Sequence, residues 1–179
     1  MIAAHEKIWP WWLRLSHWLV AKGVFALWIL TYGFDETDWL HRLIGYGILG
    51  AVALRVVAAY FTAQQSAQIT WPSQSQLLAH CAALRLACIG QRTLVAHHGH
   101  NPFGQLAVYA MWLLIILLGF TGWLIRTDAF WGEDWLMVIH QILSHALCCL
   151  VLLHVVAVLV MSKLQNKNLI KQMLTGGPR

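Results

Sequence analysis

Charge is scarce in this sequence. Asp, Glu, Lys and Arg make up 11% of its 179 residues, where a soluble domain carries about 25%. That shortfall excludes a water-facing surface over much of the chain and points to segments that lie in lipid. A cleavable secretory signal is missing too. The first apolar run lacks a short hydrophobic region closed by small residues, and three more runs follow it, so it is expected to stay in the mature chain. No CxxCH occurs, which excludes the usual covalent attachment of a c-type haem. There is no internal repeat and no low-complexity tract, so residues 1–179 are expected to form a single domain.

What is present is apolar length. A helix rising 1.5 Å per residue needs about 20 residues to cross a hydrocarbon layer of roughly 30 Å, and four runs reach that: Trp11 to Phe34, Trp39 to Phe61, Gly104 to Ile125 and Trp135 to Met161. The third, GQLAVYAMWLLIILLGFTGWLI, has no charge at all; the first carries Arg14, His17 and Lys22. The expected fold is an all-α membrane protein, a four-helix transmembrane bundle. The connection from Thr62 to Phe103 is too long to be structureless. Within it Leu77, Cys81, Leu84 and Cys88 form a helical stripe after Trp71, Pro72 and Ser73, which predicts a short amphipathic helix on the membrane interface. Trp9, Trp11, Trp12, Trp39, Trp123, Trp131 and Trp135 cluster at the span ends, where indole rings favour the headgroup layer.

Orientation follows from the sign of the loops. Asp35, Glu36 and Asp38 join the first two spans, and Arg126, Asp128, Glu133 and Asp134 join the last two. Lys7, Arg14, Arg85, Arg92, Lys163, Lys167, Lys171 and Arg179 lie on the other side. The positive-inside rule then puts both termini, the long loop and its interfacial helix in the cytoplasm. The net charge of +5 is explained by topology and by contact with anionic lipid, so no nucleic-acid partner is required. Cys81 and Cys88 fall in that loop and Cys148 and Cys149 in the fourth span, positions that suit small buried residues more than disulfides.

The fourth span carries three histidines in VIHQILSHALCCLVLLH. His140 and His154 are fourteen residues apart, which leaves them within about 40° around the helix and about 21 Å apart along it. His145 points elsewhere, about 140° from His140. Ionisable side chains inside a membrane face the bundle interior and mark a cofactor or pathway, and imidazole is a common haem-iron ligand. Two on one edge therefore predict two sites at two depths. With the fourth span entering from outside, depth pairs His41 with His140 and His17 with His154. Zinc would need a tetrahedral set, which pairs do not supply; His97, His98 and His100 could hold a metal at the loop instead. Histidines that relay protons in a transporter form the competing class, although neither a repeat nor a broken helix accompanies them. Arg14 and Arg42, each close to a paired histidine, are the first candidates to hold haem propionates, with Arg55 and Lys22 behind them.

RLSHW, HRLIGYGILG followed by LRV, GHNPFGQ, the spacing of His140 and His154 and the tail NLIKQMLTG together resemble the cytochrome b/b6-like family of bacterial cytochrome b561 and the b-type cytochrome subunit of nickel-iron hydrogenase. The likeness covers nearly the whole chain. It implies a four-helix bundle in the bacterial cytoplasmic (inner) membrane with two haem b groups, whose axial ligands map onto His17, His41, His140 and His154. It further implies electron transfer between quinone and a redox partner, either a periplasmic or membrane-bound cytochrome or a dehydrogenase or hydrogenase subunit. His100 or His145 could serve a quinone as proton partner. A protein that by itself reduces ferric iron or oxidises superoxide at the membrane face is the alternative.

Overall fold

A computed structural model of the chain describes residues 9–33, 38–62, 68, 70–90 and 101–177. Among these residues the regular structure is all helical, in six helices: α1 (Trp11–Gly33), α2 (Asp38–Phe61), α3 (Gln74–Cys88), α4 (Pro102–Leu124), α5 (Asp134–Leu164) and α6 (Leu169–Thr175). α1, α2, α4 and α5 are each long and apolar enough to cross a membrane. The chain is a multi-pass membrane protein built on a four-helix bundle. The helix boundaries fall within three residues of the expected spans, because in such segments hydropathy alone dictates where the backbone must satisfy its own hydrogen bonds.

α1 packs along α2 and α4 along α5, and a smaller α2 to α4 contact joins the pairs. The bundle therefore has two ends. One gathers the start of α1, the end of α2, the start of α4, the end of α5, and α3 and α6; we call it the α6 end. The other holds the start of α2 and the turn between α4 and α5, where Asp38 is bridged by Arg42 at 3.5 Å and by Arg126 at 3.3 Å. These exposed pairs contribute little to stability.

Midway between the ends lies the core: Ile48 and Val52 of α2, Ile115 of α4 and Leu147 of α5 are buried, with Val20, Val24 and Leu27 of α1 packed on them. Glycine lets the first pair of helices close up at this level. A Cβ on Gly23 would stand 2.8 Å from Ile48 Cγ1, so α1 and α2 meet with one side chain fewer between them, as small residues allow in membrane bundles.

α3 begins with a capping box in which Ser73 and Gln76 satisfy each other's exposed backbone donors. Its buried position is His80, packed 5.6 Å from the Phe103 ring, whereas Cys81 is exposed. The side turned to the bundle is thus offset by one residue from the apolar stripe through Cys81, since one face must meet α4 while the other meets the interface. α4 starts at Asn101, whose side chain accepts from Gly104 N, with Pro102 in the first turn, where its missing N–H costs nothing.

α6 is a helix the sequence reading does not anticipate, although its signals are present. Asn168 caps the start and Gly176 closes the end at φ 89°, a left-handed turn that glycine adopts freely. The last carbonyls of this short helix have no partner within it. Arg14 Nη1 donates to Leu174 O at 2.6 Å, and Trp18 Nε1 donates to Met173 O at 3.3 Å, while Met173, like Trp12, packs on the buried Trp9 and Leu13 cluster. α6 thereby closes over the first turns of α1.

Candidate cofactor site

On α2 and α5 the side chains that matter recur every seven residues. His41, Ile48 and Arg55 form one series, and His140, Leu147 and His154 the other. A seven-residue step returns to nearly the same edge of a helix, about 20° away. Each helix thus presents a polar residue near one end, a buried aliphatic in the core and a polar residue near the other end.

At the Asp38 end His41 and His140 face each other, ring centroids 6.4 Å apart and tilted by 56°. Both are half-buried. Imidazole–metal bonds run about 2 Å, so this gap has room for one metal bonded to a nitrogen of each ring. His140 is held from α4. Its Nδ1 lies 2.8 Å from Thr121 Oγ1, and that hydroxyl is also 2.9 Å from Leu117 O. The hydroxyl has one proton, so both contacts are hydrogen bonds only when that proton goes to the carbonyl and the oxygen accepts from His140 Nδ1–H, the tautomer that leaves Nε2 with a free lone pair. Gly122 forms the wall beside the ring: a Cβ there would meet His140 Cε1 at 3.3 Å.

At the α6 end His17 of α1 lies within electrostatic range of His154 of α5, again as a half-buried pair. His17 Nδ1 is buried without a hydrogen-bond partner. An unmet ring nitrogen in a membrane interior is costly, and coordination to a metal or capture of a polar ligand relieves that cost. The structure thus sets His41 beside His140 and leaves His17 within electrostatic range of His154, the two places separated by the Ile48, Val52, Ile115 and Leu147 layer.

His145 stands apart. It is exposed and its Nδ1 donates to Gln141 O at 2.8 Å, a bond within its own helix. His145→Ala is expected to leave haem content and spectrum unchanged, as measured on the purified protein; loss of a haem equivalent would overturn the assignment of helix faces. Among the described residues no three His, Cys, Asp or Glu side chains gather into a metal cluster. His97, His98 and His100 lie outside the described residues.

The basic residues divide. Arg14 is half-buried and spends Nη1 on α6, but its Nε is buried and has no partner. Arg42 is paired with Asp38. Lys22 is exposed on the outer side of α1. Arg55, behind these in the sequence reading, is the most enclosed in aromatic surface, lying 5.1 Å over the Trp12 ring and 5.7 Å over the Trp112 ring. Thr121 and this pair of tryptophans are contributions that the sequence reading misses. Depth matching between α4 and α5 could have found Thr121, whereas the clamp around Arg55 depends on contacts between helices.

An apolar bundle with imidazoles paired across its helices defines a membrane protein suited to hold a redox cofactor. The family model for prokaryotic cytochrome b561 matches residues 8–176, and the chain belongs to that family. It is accordingly a membrane-embedded, b-type haem electron-transfer protein. No curated protein and no solved structure matches the chain.

Proposed function

We propose that the chain binds two haem b groups, one between His41 and His140 and one between His17 and His154, and passes electrons between quinone and a redox partner protein. The observation that carries this reading is the facing of His41 and His140 at 6.4 Å; fourteen residues along α5, His154 lies within electrostatic range of His17. When bound, haem iron takes up and gives back one electron. The protein's part is to fix its ligands, set their protonation and keep water out.

Two histidines at each site would leave the iron no open position for oxygen, and the group would then supply electron transfer. The aliphatic layer between the sites keeps the two groups at separate depths, so that an electron entering at one membrane face can leave at the other. By the sign of its loops the α6 end with both termini lies in the cytoplasm and the Asp38 end in the periplasm, which makes this a protein of the bacterial cytoplasmic (inner) membrane. Arg14, with its spare Nε, and Arg42, with its guanidinium near the mouth of the other site, are the propionate partners of this reading. A cytochrome, dehydrogenase or hydrogenase subunit would meet the periplasmic face.

The absorption spectrum and haem content of the purified protein test the proposal. Two haems per chain with a reduced α band, reoxidised by added quinone, are expected. One haem per chain would remove the two-site reading. Reoxidation by ferric chelate or superoxide but not by quinone would turn it into a stand-alone oxidoreductase.

A further inference from the structure

Among the described residues Arg55 is a charge without a counterion. It lies six residues from the end of α2, about 9 Å inside the helix, and Nη1 is buried with no hydrogen-bond partner. Placing a guanidinium at such depth is expensive unless something pairs with it. Trp12 and Trp112 partly offset the cost through their ring faces, but a π face cannot accept the in-plane N–H bonds.

Among the described residues none provides the missing acceptor. Tyr109, the neighbouring phenol, spends its proton on Thr70 O. The carboxylates among the described residues, Asp38, Asp128, Glu133 and Asp134, all belong to the opposite end of the bundle. With tryptophans covering its faces, the guanidinium offers its edge, and an edge of parallel N–H donors matches a carboxylate in the same plane. The position is telling. Arg55 occupies on α2 the step that His41 occupies fourteen residues earlier, so it faces the same interior edge at the depth of His17.

The geometry points to Arg55 as the anchor for a carboxylate from outside the polypeptide, a propionate of the group held by His17 and His154. This rests on the two-site reading and adds to it a residue that sets the properties of one site only. Arg55 is a positioning residue here: it bonds the edge of the cofactor and leaves the iron to the histidines.

The test uses the full chain in phosphatidylcholine vesicles, with haem content and stepwise redox titration of the α band as readouts. His140→Ala isolates the α6-end site and His154→Ala isolates the other. If these two variants do not each lose one haem, the two-site reading fails before Arg55 is tested. Adding Arg55→Gln to His140→Ala is expected to shift the remaining wave to lower potential, because an uncompensated propionate favours ferric iron. Adding it to His154→Ala is expected to change nothing. Arg55→Lys in the first background keeps the charge but not the flat fork; it should hold the potential near that of Arg55 and release haem several times faster. An unchanged wave in His140→Ala carrying Arg55→Gln would overturn the proposal. So would a shift seen only in phosphatidylglycerol vesicles, since the anion would then be a lipid phosphate. Should Arg55→Gln not accumulate, a release rate for Arg55→Lys equal to that of the unsubstituted residue overturns it equally.

Discussion

His140→Ala should leave the protein with half of its haem. His140 is the α5 member of the pair at the Asp38 end, 6.4 Å from His41, while His154 and His17 lie beyond the Ile48 and Leu147 layer. Alanine removes one of the two nitrogens that would hold the group, and a site with one donor left would hold haem far less firmly. Because the two members of a pair act together, their effects are not additive. His41→Ala, His140→Ala and the double variant should all fall to one haem per chain, as counted from the haemochrome of purified protein. His17→Ala and His154→Ala should fall to one as well, and His17→Ala combined with His140→Ala should fall to none. Loss of both haems from His140→Ala alone, in protein that remains folded, would mean that the sites are not independent. Binding of a cofactor to the folded state only adds RT ln(1 + [L]/Kd) to its stability, so each single variant should also unfold at a lower temperature than the parent.

Much of this architecture was legible in the sequence, and the physical reason differs from part to part. The four spans stand out because lipid leaves a helix no freedom over polarity: a run such as residues 104–125 without a charge admits hardly another structure. That His41 would lie at the level of His140, and His17 toward the end that holds His154, was legible because helical phase is rigid over fourteen residues and successive spans alternate in direction. Neither argument needs the side-chain packing. What the sequence hid depends on packing. Thr121 reads as one more small polar residue that bonds back to its own helix, which it also does, and its contact with His140 appears only when α4 and α5 are set side by side. Arg55 reads as a cation near a helix end, and the tryptophans that enclose it come from α1 and α4. Arg42 reads as a residue beside a candidate ligand, yet it turns to Asp38 one helical turn back. α6 is short enough that its propensity is weak, and docking on the Trp9 and Leu13 cluster decides its form.

Thr121→Val is the substitution that separates the presence of a ligand from its preparation. Valine has nearly the volume of threonine and the same branching at Cβ, so the packing around His140 and the 3.3 Å approach of its Cε1 to position 122 should survive. What disappears is the acceptor for His140 Nδ1–H. For the contacts with Leu117 O and His140 both to be hydrogen bonds, the threonine hydroxyl gives its one proton to the carbonyl and accepts from the imidazole. That assignment holds Nε2 as the bare nitrogen, fixes the ring plane and raises the basicity of the ligand. Without it the ring can turn and exchange tautomers, and its buried N–H is left unmet, a loss worth roughly 1–3 kcal/mol. Partners of this kind cost about tenfold to a hundredfold in affinity when removed. Haem at the His41 and His140 site should therefore dissociate about tenfold to a hundredfold more readily in Thr121→Val, read as transfer to an acceptor protein, while the His17 and His154 site keeps its rate. Thr121→Ser, which retains the hydroxyl, should restore most of the loss. Equal haem transfer from Thr121→Val and the parent would show that the wall formed by Gly122, and not the hydrogen bond, orients His140.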